Sequence, residues 1–151
     1  MSDSIPLMPD GVLEAALYAR DLLAAEQFYR DVLGLRVIAS QPGRHIFFRC
    51  GRTVLLVFNP TETASATVLV SGNAIPKHGA QGAGHIAFSV EPSVLPAWRE
   101  RLRQVSVPIE TEIAWPQGGH SLYIRDPAGN SVELATSSIW PHLTDASNPS
   151  P

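Results

Sequence analysis

From residue 13 the chain reads LEAALYA, LLAAEQFYRDVLG, RVIAS, RHIFFRC and TVLLVF; from residue 84 it reads GHIAFSV, SVLPAWRERLRQV, PIETEIAW, HSLYIRD and SVELAT. In each half an alternating segment is followed by one with apolar residues at helical spacing, then by three short segments of strand character. A shared order of elements about half a chain apart is the mark of internal duplication. The fold class is therefore α+β, built from two tandem βαβββ modules.

Local signals set the boundaries. Asp21 is placed to cap the first helix, and Gly34 supplies its left-handed stop. The turn signals QPG, CGR, QGG and DPAGN separate the strands. Pro96 fits the first turn of the second helix, which is expected to begin close to Leu95. Module one spans about 12–58 and module two about 83–136. Residues 59–82, rich in Thr, Ser, Gly and Pro, read as a linker or lid with a brief apolar patch, TVLV. The tail, 137–151, loses periodicity; Ile139 and Trp140 are expected to pack locally and its end to be mobile.

The 151 residues, 44% of them hydrophobic, suit one domain with a real core. A net charge of −3 and scattered basic residues give no footprint for nucleic acid. No stretch has the length of a membrane span and no leader pattern opens the chain, so a soluble, cytoplasmic protein is expected. The single cysteine, Cys50, has no partner for a disulfide or a thiolate cluster and is expected to pack as a small apolar residue.

Comparing the halves places Glu14 and His85 at equivalent positions in the first strands, and Leu55 and Glu133 in the last. In each polar case alanine follows two residues later: Ala16, Ala87 and Ala135. Residues two apart share a strand face, so the face bearing the polar groups is lined by small side chains and shapes a cavity. Leu13, Leu17, Ile86, Phe88, Val90, Val132 and Leu134 mark the opposite face, which the helices would cover. Two glutamates converging in a hollow repel unless a cation lies between them. Two carboxylates and one imidazole suit a divalent ion such as manganese, iron, zinc, cobalt or nickel, one per chain, with positions left open for substrate.

The run ALYARDLLAAEQFYRDVLGLRV, with GHIAFSV and LYIRDPAGNSVELA in the second half, resembles the vicinal oxygen chelate superfamily of glyoxalase I, bleomycin resistance proteins, fosfomycin resistance enzymes and extradiol dioxygenases. The resemblance implies two βαβββ modules curling into a cupped mixed sheet with helices on its outer face, usually completed in a homodimer. It also implies metal ligands from the first and last strands of each module, here Glu14, His85 and Glu133. Glyoxalase I would imply a fourth ligand where this chain has Leu55, and extradiol dioxygenases a histidine where it has Glu14. Fosfomycin-modifying enzymes use three ligands, usually with histidine in that first place, while bleomycin binders lack the set.

Around the same hollow, Ser121, Tyr123 and Arg125 share one face of their strand and His120, Leu122 and Ile124 the other; the first set offers a hydroxyl, a phenol and a guanidinium to substrate. Glu14 and Glu133 are candidate bases, His45 and His78 candidate acids or bases, and Trp115 a rim residue. The expected function is that of a metal-dependent enzyme whose ion chelates two oxygens of a small organic substrate. The alternative is a binding protein that sequesters an aromatic or antibiotic-like ligand without transforming it.

Overall fold

The computed structural model describes residues 7–143. Module one contains β1 (Glu14–Tyr18), α1 (Leu22–Gln27), β2 (Arg36–Gln41), β3 (His45–Cys50) and β4 (Thr53–Phe58). After α2 (Pro60–Ser65), β5 (Leu69–Val70) and β6 (Asn73–Ala74), module two contains β7 (His85–Ser89), α3 (Leu95–Gln104), β8 (Thr111–Ala114), β9 (His120–Arg125) and β10 (Ser131–Ala135). Both modules are βαβββ units.

Each module forms its own four-stranded mixed sheet, ordered β1-β4-β3-β2 in one and β7-β10-β9-β8 in the other. The first and last strands of each module pair in parallel and the other neighbours antiparallel. The sheets are thus two and open, where the resemblance implies one cupped surface.

The helices carry apolar stripes that cover one face of each sheet. The Asp21 carboxylate accepts from the Ala24 amide at 2.9 Å, as a cap should. Beyond Gln27 the first helix widens into a π-helical turn, Phe28–Val32, closed by the Leu33 amide on the Phe28 carbonyl. Apolar spacing over one turn does not separate an i→i−4 ladder from an i→i−5 one. The widened turn buries both Phe28 and Tyr29. The second helix begins at Leu95 with Pro96 in its first turn, as its sequence predicts.

The segment 59–82 is more ordered than a linker. Asn59 caps α2 by accepting from the Thr61 amide, and β5 and β6 form a two-residue hairpin. Strands this short lie below the length at which alternation can be read. The tail makes two tight turns, Ser137–Ile139 and Pro141–Leu143; its expected mobile end lies outside the described residues.

One continuous core joins the modules, with Leu17, Tyr29, Phe48 and Leu55 of the first packed in the same cluster as Leu102, Leu122, Ile124 and Leu134 of the second. Polar links reinforce it. The Tyr29 hydroxyl donates to Asp126 at 2.7 Å, and Asn130 donates to the Tyr18 carbonyl at 3.2 Å while accepting from the Gly84 amide. Arg101 donates to the carbonyls of Asp31 and Val32. Leu13, expected under the helices, is exposed because it precedes the first residue of β1.

Candidate functional site

The turn DPAGN sets the site's register. Asp126 accepts through one carboxylate oxygen from the amides of Ala128 and Asn130, both at 2.9 Å, and through its carbonyl from Gly129. This local ring of bonds reverses the chain so that Glu133 pairs with Tyr123, Ser131 with Arg125 and Ala135 with Ser121. Across the other edge Ser131 pairs with His85, Glu133 with Ala87 and Ala135 with Ser89. In-register partners share a face, so His85, Glu133, Ser121, Tyr123 and Arg125 all point away from the helices.

His85 and Glu133 meet. His85 Nε2 lies 3.2 Å from Glu133 Oε2, and His85 Nδ1 lies 3.2 Å from both the carbonyl and the hydroxyl of Ser131. Glu133 is 4% exposed. Its other oxygen accepts from the Ser121 hydroxyl at 2.5 Å, and that hydroxyl accepts from the Trp115 indole N–H at 2.8 Å. When the ring proton sits on Nδ1 and donates to Ser131, Nε2 turns a lone pair toward the carboxylate. Two acceptors then face each other across 3.2 Å, an arrangement that a cation between them, or a second proton on the imidazole, relieves. Donors each about 2.1 Å from one ion stand about 3 Å apart at a right angle, so the separation fits metal-binding geometry.

Tyr123 stands beside the pair, its ring roughly parallel to that of His85 with centroids 6.3 Å apart. Burial, and then the charge of Glu133, raise its phenol above its ordinary range, so it stays protonated and able to donate. Arg125 shares the face but is engaged elsewhere: it forms an ion pair with Glu110 at 2.6 Å and donates to the Gly129 carbonyl.

Glu14 does not join them. It lies exposed on the uncovered face of the first sheet, paired in register with Val54, and has no hydrogen-bond or ion-pair partner among the described residues. Among those residues no three His, Cys, Asp or Glu side chains converge to hold a metal.

The register also corrects one equivalence. Glu133 pairs with Ala87, two residues after His85, and in module one the residue paired with Ala16, two after Glu14, is Leu56. Leu55 instead lies in the core at 1% exposure. Counting from strand starts read the position one residue early, and one residue in a strand changes the face.

The remaining candidates gather elsewhere. The Tyr18 hydroxyl and His78 Nδ1 are 2.7 Å apart, and His45 stacks on Phe47 with centroids 4.1 Å apart beside Phe58. Burial and then the charge of Arg44 lower the His45 imidazole below its usual range. The side chain of His120 is exposed, and burial pushes up the half-buried Cys50 thiol. A hollow of about 350 Å³ beside Tyr18, Asp21 and Pro127 lies away from the His85–Glu133 pair, whereas one of about 410 Å³ between β4 and β7 reaches Ala87, the residue paired with Glu133. The support that Ser121 and Trp115 give Glu133 is what the sequence reading missed, since it depends on cross-strand register.

Known proteins resemble this chain in sequence and fold. The crystal structure of lactoylglutathione lyase from Agrobacterium tumefaciens is 46% identical, with a TM-score of 0.81 over 87% of this chain and 97% of that one. The catechol-2,3-dioxygenase of Bacillus subtilis (strain 168) is 32% identical over 80% of this chain and 39% of its own length. Metallothiol transferase FosB of Bacillus licheniformis is 34% identical over 44% of each. The chain thus spans about two-fifths of the length of the curated relatives it matches. The model of the Glyoxalase/Bleomycin resistance protein/Dioxygenase superfamily matches residues 11–134, and the chain belongs to that superfamily.

Proposed function

We propose that the protein is a metal-dependent enzyme of the glyoxalase/dioxygenase-like class, acting on a small organic substrate that offers two oxygens to one divalent ion. The observation that carries this reading is the His85–Glu133 pair: a buried carboxylate held by a serine on one oxygen and facing an imidazole nitrogen across 3.2 Å on the other. His85 and Glu133 of one copy, with Glu14 of a second copy, form the ligand set. Glu14, His85, Ala87 and Ser89 are exposed, so both half-sites are free to meet a partner. The names of the relatives, a lyase, a dioxygenase and a metallothiol transferase, support an enzyme and leave the reaction open.

The ion, when bound, supplies Lewis-acid stabilisation of an enolate or oxyanion. Ser131 sets the His85 tautomer, and Ser121 keeps one oxygen of Glu133 occupied, so that the other alone is offered. Tyr123, which keeps its proton, offers its phenol O–H as a hydrogen-bond donor to a substrate oxygen. Glu14, whose side chain has no hydrogen-bond or ion-pair partner among the described residues, and Glu133 are the two carboxylates that could serve as base as well as ligand.

The test is elemental analysis and metal titration of protein purified without chelator. Wild type should carry about one ion per chain, and His85→Ala should lose most of the affinity because it deletes the nitrogen donor. Full retention by the variant would sink the ligand assignment. Metal-free wild type that binds aromatic ligands unchanged would favour the sequestering protein.

A further inference from the structure

On the face that carries Glu133 there is a second feature, a hollow of about 190 Å³ whose boundary includes Ala87, Ser89, Ala135, Ile139, Trp140 and Leu143. Ala87 is the residue paired with Glu133, and Ser89 is paired with Ala135, so the floor begins beside the donor pair and runs away from it along β7 and β10. Three adjacent floor positions hold side chains of one or two heavy atoms, which leaves the sheet surface low. The wall is different in kind. It comes from the tight turns after β10, where Trp140 is 62% exposed and Leu143 77% exposed.

These turns are fixed in place. The Thr136 hydroxyl accepts from the His120 amide at 2.9 Å, and the Thr136 amide returns a bond to the His120 carbonyl. Ile139 crosses Gly119 so closely that a Cβ there would lie 2.7 Å from the Ile139 amide nitrogen. The indole is therefore mounted on a braced segment while its own surface stays open. An exposed indole bordering the same hollow as the exposed small residues Ala87 and Ser89 offers a slot for a ring, because burying both surfaces is favourable and demands little rearrangement. Its volume also suits one ring, since an apolar cavity of roughly 150 Å³ takes up benzene.

We propose that this hollow is an aryl subsite: the substrate carries one six-membered ring, attached close to its two metal-binding oxygens and laid between Trp140 and the floor of Ala87, Ser89 and Ala135. The inference rests on the metal reading above and goes beyond it by naming the substrate class and the tail residues that select it.

The experiment uses two chelating probes that differ only in the group they carry, acetohydroxamate with a methyl and benzohydroxamate with a phenyl, titrated calorimetrically into zinc-loaded wild type, Trp140→Ala and Ser89→Leu. Both altered positions are exposed, so folding should survive, and Ser89→Leu fills the slot where Trp140→Ala opens it. Wild type should bind benzohydroxamate at least tenfold more tightly than acetohydroxamate. Each variant should reduce that preference to threefold or less, with zinc content measured on the same samples. Equal binding of the two probes by wild type, or an undiminished preference in both variants, would overturn the subsite alone. Zinc-loaded protein that binds neither probe, or protein that takes up no zinc, would overturn the metal reading and the subsite with it. An unchanged preference accompanied by weakened self-association of Trp140→Ala would assign the hollow to a second copy of the chain instead.

Discussion

His85 Nε2 and Glu133 Oε2 face each other across 3.2 Å although the two residues are not paired in register; they are diagonal neighbours on parallel strands. The diagonal leaves Ala87 directly beside Glu133, so the pair has room on one side and the Ser121 hydroxyl on the other.

Removing that hydroxyl should be costly. Ser121→Ala leaves the Trp115 indole N–H and one buried oxygen of Glu133 without their partner, and the loss of a buried hydrogen-bonding group costs about 1–3 kcal/mol. At about 2–4 °C per kcal/mol for a chain of this size, the metal-free melting temperature should fall by roughly 2–12 °C. Trp115→Phe combined with Ser121→Ala should cost less than the sum of the two single changes. Strict additivity would show that the three groups do not act as a chain.

Glu133→Gln separates a ligand from a buried structural acid. Wild type should gain melting temperature on titration with manganese, zinc or nickel, by about 2.7 kcal/mol in stability at a hundredfold excess over Kd. The glutamine variant should gain less than a third as much, because an amide oxygen is a poorer ligand than a carboxylate. Equal gains with every ion would remove Glu133 from the proposed set.

A mixed dimer tests where Glu14 acts. A heterodimer of a Glu14→Gln chain and a His85→Ala chain, isolated through different affinity tags, holds one site with both changes and one with neither if the ligands come from two copies. It should bind one ion per dimer, whereas each homodimeric variant should bind weakly. If one copy supplied all three ligands, both sites of the mixed dimer would be damaged and it would bind no better than its parents.

Tyr29 gives the protein an alkaline limit. Burial, followed by the Asp126 charge and its hydrogen bond, raises this phenol above its ordinary 10.0. The folded chain therefore keeps a proton that the unfolded chain releases. The stabilisation is fully present below pH 10 and declines as pH rises above it, by up to about 1.4 kcal/mol per unit from this group. Tyr29→Phe should cost about 1.5 kcal/mol at pH 7 and flatten that alkaline decline. Urea titrations between pH 7 and 11.5 would detect it; parallel declines in the two proteins would contradict the coupling.

The βαβββ order was legible because alternation and helical spacing are properties of neighbouring residues, and the DPAGN turn because its asparagine, aspartate and glycine act locally. The meeting of His85 with Glu133 was legible too, since each lies on a readable strand face. Three things were not. The π-helical turn at Phe28 differs from an α-helix by one bond in the ladder, the Leu56 position depends on a register set by the partner strand, and the Trp115–Ser121–Glu133 chain crosses from a turn through two strands. The first turns on one local bond to which apolar spacing is blind, and the other two depend on long-range pairing, which side-chain periodicity does not encode.

The links between modules also impose an order on synthesis. Tyr29 emerges from the ribosome 97 residues before Asp126, its hydrogen-bond partner, and Tyr18 emerges 112 residues before the Asn130 amide that caps its carbonyl. Until module two is complete, module one has apolar surface uncovered and polar groups without their native partners, a condition that invites aggregation and cleavage. A message cut short between the two halves thus yields a substrate for proteolysis, and the duplication visible in the sequence is not a pair of independently heritable parts.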